Sequence, residues 1–96
     1  MYVICTYDVN EKRCDKLKKL LRQYLFHVQK SVFEGELTPH QMKELQEKVK
    51  KIILSEDSVQ FYYCYNNKQI YKDKLGNDSS DLNIIEERRT QWEKNY

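Results

Sequence analysis

Apolar and polar positions along this chain switch between a period of two and a period near 3.6, and the switches mark out an α+β domain. Residues 2–7, Tyr2-Val3-Ile4-Cys5-Thr6-Tyr7, are β-branched or aromatic at nearly every position and read as a strand covered on at least one face. Asn10 offers an N-cap, and Glu11 suits the positive end of a helix dipole. Cys14, Leu17, Leu21, Tyr24 and Leu25 recur at helical spacing and predict a first helix near 11–25. Residues 27–37 return to strand character, as two short strands joined tightly near Gln29-Lys30. Thr38-Pro39-His40-Gln41 is a strong helix start: threonine caps, proline takes the first helical position and glutamine completes a capping box. Met42, Leu45, Val49, Ile52 and Ile53 then form an apolar stripe.

Val59, Phe61, Tyr63 and Tyr65 alternate with Gln60, Tyr62 and Cys64, which predicts another strand. Asn66-Asn67 is a turn signal, Gln69-Ile70-Tyr71 an expected short edge strand, and 76–81 an expected loop. Leu82-Asn83-Ile84-Ile85 is a last short apolar segment before a charged, frayed tail. The order β-α-β-β-α-β with extra short C-terminal strands predicts a ferredoxin-like fold: one antiparallel sheet with both helices on one face.

The chain has 96 residues, so one domain is expected, with a core modest enough that oligomerisation would help it. Net charge is +2, which neither demands nor excludes nucleic acid, so the distribution of charge matters more. Residues 11–25 carry six basic side chains against two acidic ones. Lys12, Lys16 and Lys19 lie on one face of the predicted helix and Arg13 lies near Asp8. That face is either solvated or able to track a duplex backbone. Cys5, Cys14 and Cys64 are odd in number and widely spaced, and His27 and His40 complete no zinc cluster. They read as buried apolar residues of a reducing, cytoplasmic protein. No apolar run reaches membrane-spanning length, so no membrane is expected as a partner. No signal peptide is expected, and a strand beginning at Met1 suits a native start.

Asp8 closes the first strand, where the sheet stops and the helix begins. A carboxylate there either caps the turn or holds a hard metal ion through oxygen. Tyr7 points to the opposite face and reads as core. Ser31 and Phe33 share one strand face; Phe33 is core or interface filler, and Ser31 either bonds a backbone group or positions a ligand. Nothing pairs with Ser31 as a base.

The opening strand ending Tyr7-Asp8-Val9, then Gln29 and Ser31-Val32-Phe33-Glu34-Gly35-Glu36-Leu37, then Leu75-Gly76, resemble the CRISPR-associated protein two family over about 85 residues. The resemblance implies a ferredoxin-like homodimer, with residues 1–81 as the domain and 82–96 as a strand and tail packing on the partner subunit. It implies Mg²⁺-dependent endonuclease activity on RNA or DNA, with Asp8 matching the metal-binding and catalytic aspartate. A two-fold axis would bring two copies of Asp8 together, so that the site exists only in the dimer. It also implies a scaffold that binds double-stranded nucleic acid and bridges the CRISPR integrase, CRISPR-associated protein one, during spacer acquisition. Many relatives carry an arginine where this chain has His27, so a phosphate contact there becomes weaker or pH-dependent. The nucleic-acid-binding set is then Lys12, Arg13, Lys16, Lys19, His27 and Ser31. The alternative is a toxin-like endoribonuclease cutting messenger RNA; a generic ligand-binding regulator is weak, since no Gly-rich phosphate loop is present.

Overall fold

A computed structural model describes residues 1–66 and 69–76. Five strands and two helices follow in the order β1 (Tyr2–Asp8), α1 (Glu11–Arg22), β2 (Phe26–Gln29), β3 (Val32–Glu36), α2 (Pro39–Ile52), β4 (Ser58–Cys64) and β5 (Tyr71–Gly76). The strands form one antiparallel sheet in the order β2-β3-β1-β4-β5, the expected ferredoxin-like arrangement with one strand added at the β4 edge.

The period of two in β1 sorts its side chains cleanly. Val3, Cys5 and Tyr7 are buried, and the alternate residues Tyr2, Ile4 and Thr6 are only partly covered or exposed. The buried set meets Phe33, Val59 and Phe61 from neighbouring strands and Leu17, Leu20, Leu21, Met42, Leu45 and Val49 from the helices. Both helices therefore cover one face, and the other face is left open. Each fully buried Leu or Phe contributes about 1.5–3 kcal/mol by leaving water, which is what fixes the helices against the strands.

Where the expected boundaries shift, local hydrogen bonds explain it. The apolar stripe continues to Leu25, yet α1 ends at Arg22 because the next two N–H groups tighten: Gln23 donates to the Leu20 carbonyl and Tyr24 to that of Leu21, both at 3.0 Å. The β2–β3 turn falls at Lys30-Ser31 rather than Gln29-Lys30, because a bulge between His27 and Gln29 inserts one extra β2 residue. The capping box at Thr38 forms as expected, with Gln41 N–H donating to Thr38 Oγ1 at 3.1 Å and Thr38 N–H to Gln41 Oε1 at 2.9 Å.

The last described strand runs from Tyr71 to Gly76, not from Gln69 to Tyr71. Its alternation is disguised, because a polar residue sits among the inward positions. Asp73 accepts from Gln46 of α2 at 2.9 Å and from the Tyr63 hydroxyl at 3.2 Å, while Tyr71 stacks on Tyr63 and Leu75 packs on the core. Gly76 closes this strand instead of opening a loop; the expected loop over 77–81, the segment 82–85 and the tail lie outside the described residues. Among the described residues no helix is long and apolar enough to cross a membrane. The cysteines are free, with Cys5 fully buried and its thiol pushed up to about 12 by that burial.

Candidate functional site

The end of the sheet where β1 stops is built by two loops that meet there. β1 pairs with β4 as far as Asp8 opposite Ser58, and α1 starts three residues after Asp8. Asn10 caps α1, its Oδ1 accepting from the Lys12 N–H at 2.9 Å. A shallow, open cleft lies at this junction, lined by Asp8, Val9, Asn10, Glu56 and Asp57.

Asp57 is the buried charge of the cleft, 1% exposed. Its Oδ1 accepts from the Asn10 N–H at 2.9 Å and from Arg13 Nη2 at 3.0 Å; its Oδ2 accepts from Arg13 Nε at 2.6 Å and the Leu54 N–H at 2.8 Å. Arg13 also reaches Glu56 at 2.6 Å. The Arg13 guanidinium, helped by the Leu54 and Asn10 amides, holds the Asp57 carboxyl well below the usual carboxylate range, and the same bonds raise Arg13. A group depressed on folding lends stability above its unfolded pKa, about 3.9, and loses that contribution as pH falls toward the folded value. Urea midpoints between pH 7 and pH 2 should therefore show Asp57→Asn less stable than wild type at neutral pH, with the gap narrowing below about pH 4; a gap constant with pH would contradict this.

Asp8 itself is exposed, and among the described residues no hydrogen bond or ion pair engages its carboxylate. The same carboxylate closes the open sheet face, following Tyr2, Ile4 and Thr6 along β1. Carboxylate oxygen suits a hard cation such as Mg²⁺. One free carboxylate is too few for such a site, and among the described residues no group of three or more His, Cys, Asp or Glu gathers in a ligating cluster. The donor chemistry fits Mg²⁺ only if a second copy supplies more oxygens.

The other sequence-derived residues divide into two sets. Lys12, Lys16 and Lys19 are exposed along one side of α1 and span roughly 10 Å at 1.5 Å per residue. Arg13 is instead committed to Asp57 and Glu56, and only 17% of its side chain is exposed. Ser31 sits in the β2–β3 turn beside Tyr7: its carbonyl accepts from the Tyr7 N–H at 3.3 Å, while the Tyr7 hydroxyl donates to the carbonyl of the neighbouring Lys30 at 3.4 Å. Tyr7 is core, tilted against Phe33 with 6.2 Å between ring centroids. His27 is exposed and stacks flat on Phe33 at 4.4 Å, with its Nε2 2.7 Å from the Lys30 carbonyl. The structure thus brings Asp8, Arg13 and Ser31 to one end of the sheet, and the lysine row runs away from it along α1.

Asp57 and Glu56 are the cleft residues that sequence reasoning missed. The available signal was slight: an acid just before a period-two strand, mirroring Asp8 just after one.

Known proteins agree with this architecture. Residues 1–72 match the family model described as CRISPR associated protein Cas2. The chain is similar to the CRISPR-associated endoribonuclease Cas2 of Thermotoga maritima, 45% identical over 86 residues, covering 88% of this chain and 99% of that protein. The protein of the same name from Methanosarcina acetivorans is 37% identical, with 88% and 99% covered. A solved structure titled as the crystal structure of cas2 superposes with a TM-score of 0.63 at 41% identity, covering 83% of this chain and 91% of that one. Streptococcus pyogenes Cas2 at pH 6.5 superposes with a TM-score of 0.63 at 36% identity, covering 70% and 89%.

Proposed function

The chain belongs to the CRISPR-associated protein Cas2 family, and from that premise we propose that it is a homodimeric nucleic-acid scaffold for the CRISPR integrase with Mg²⁺-dependent endonuclease activity. The observation that carries the nuclease part is Asp8: an exposed carboxylate with no partner among the described residues, at the end of the central strand, three residues before a lysine-lined helix. RNA is the first substrate to test, since the relatives carry the name endoribonuclease.

The dimer is supported by the open face. The strand register sets Glu34, Ile4, Tyr62 and Lys72 in one row across β3, β1, β4 and β5. Glu34 also accepts from the Tyr2 hydroxyl, and Lys72 lies 5.1 Å over the Tyr62 ring. The row is acidic at one end, basic at the other and apolar between. A two-fold axis along the strands, between β1 and β4, sets Glu34 of one copy against Lys72 of the other and Ile4 against Tyr62. The same axis leaves both Asp8 side chains at one end of the interface, which supplies the oxygens a single chain lacks.

Within that assembly Lys12, Lys16 and Lys19 bind phosphates and orient the backbone without reading bases. Asp8 holds the ion, and Ser31 buttresses the neighbouring Tyr7 so that the strand end stays in place. Bound there, Mg²⁺ supplies charge neutralisation at the scissile phosphate and lowers the pKa of a water.

The test is sizing the purified protein alone, with a short duplex, and with duplex plus integrase. A dimer that enters a larger complex with both supports the reading; a monomer that binds neither overturns it. Changing Lys12, Lys16 and Lys19 together to Ala should weaken duplex binding equally for unrelated sequences. It should also flatten the log–log salt slope by roughly one unit for each phosphate no longer neutralised. An unchanged slope would show a face that is only solvated.

A further inference from the structure

We propose that Asp57 is the positioning residue for Asp8, acting through Arg13 and the backbone of Asn10; the proposal rests on the reading of Asp8 as the metal carboxylate. Few contacts are available to hold Asp8 still. Its side chain has no protein partner among the described residues, so its place is set by the backbone on either side. On the C-terminal side, the Asn10 N–H is tied to Asp57 Oδ1. Across the ladder, Asp8 faces Ser58, the residue that follows Asp57. Two of the routes from the Asp8 backbone into the fold therefore lead to Asp57, and the third runs back through the buried Tyr7.

Asp57 is anchored in turn. Four donors use its two oxygens, and they come from three segments: the β1–α1 loop, the first turn of α1, and the loop between α2 and β4. The end of β5 closes over the same loop, since Gly76 lies directly against the Asp57 carbonyl. Arg13 also engages Glu56, so two of the three carboxylates lining the cleft are held by one guanidinium, and among the described residues Asp8 is the one left without a partner. The clamp also carries the start of α1, so it fixes the lysine row relative to Asp8.

Stability alone is a poor reason for such a clamp. A buried ion pair is often matched or bettered by apolar residues of the same volume. An ion pair spends that energy on geometry, and here four bonds converge on the residue beside Ser58, the ladder partner of Asp8.

The test uses full-length Asp57→Asn and Arg13→Lys, with Asp8→Asn as reference, at a temperature where circular dichroism shows every protein folded. Mn²⁺ binding is measured by titration calorimetry without nucleic acid, and the Mg²⁺ concentration giving half-maximal cleavage is measured alongside. Both clamp variants should bind Mn²⁺ about tenfold more weakly and need about tenfold more Mg²⁺, as loss of outer support for a ligand does. Adding Asp57→Asn to Asp8→Asn should weaken metal binding no further, because positioning has nothing left to act on. Folded clamp variants with wild-type metal affinity would overturn the proposal while leaving Asp8 as ligand. Unchanged Mn²⁺ binding in Asp8→Asn would instead remove the Asp8 reading. Arg13→Lys decides the matter if Asp57→Asn does not fold, since it keeps the charge and loses the guanidinium's two-point fork on Asp57 together with its reach to Glu56.

Discussion

Asp8→Asn is expected to lower Mg²⁺-dependent cleavage by at least about 100-fold while the protein folds and dimerises as before. The two halves of that expectation have separate causes. Asp8 is exposed and bonds to nothing in the described structure, so exchanging its oxygen for an amide disturbs no neighbour; surface changes of this kind stay within about 0.5 kcal/mol. The chemistry is different, because asparagine has no charge to hold a hard cation or to balance it. In a two-fold site each substitution is made twice. Rates with labelled RNA and DNA, in Mg²⁺ and in chelator, give the activity; thermal unfolding and sedimentation give the fold and dimer. A wild-type rate in highly purified Asp8→Asn would place the activity elsewhere. Retained duplex binding by the same variant would separate scaffolding from cleavage.

Gly76→Ala is expected to cost about 2–5 kcal/mol, the larger effect on stability, from two additive causes. Gly76 closes β5 at φ +92°, a backbone state that costs an L-residue about 1–2 kcal/mol. A Cβ there would also run into the Asp57 carbonyl oxygen and stand 3.2 Å from Ile53 Cδ1. The first obstacle is backbone and cannot rotate away, so overpacking adds about 1–3 kcal/mol. Gly35 is the control. A Cβ on it meets the end of the Leu25 side chain at 3.1 Å, which can turn aside. In a domain of this size 1 kcal/mol moves the melting temperature by about 4–8 °C, so Gly76→Ala should melt at least about 10 °C lower and Gly35→Ala within a few degrees. Equal melting temperatures for the two variants would show that the β5 end does not press on the Asp57 loop.

Most of the fold was legible because its elements announce themselves locally. The Thr38 capping box, the leucine stripe of α1 and the alternation of β4 each need only residues close in sequence. β5 was misplaced because its inward positions include Asp73, whose partners on α2 and β4 are supplied by the fold. The site divides the same way. Asp8 showed itself by its place at a strand end, and the lysine row by helical spacing. Arg13 read as a phosphate ligand because its partners, Glu56 and Asp57, lie more than forty residues away. Nothing local distinguishes an arginine that meets solvent from one held in a clamp.

The central place of β1 has a consequence for how the molecule comes into being. β1 comes before both of its sheet neighbours in the chain, lying between β3 and β4, and β4 ends only at Cys64. At roughly 5–20 residues per second, β1 waits several seconds or longer for its second neighbour. During that wait one of its edges and its apolar side chains are exposed. The Asp8 end of the sheet closes only when β4 arrives with Asp57 just ahead of it. A nascent chain that holds α1 but not β4 therefore has no finished cleft, and the Asp8 end of the sheet takes shape only once Asp57 and β4 have followed.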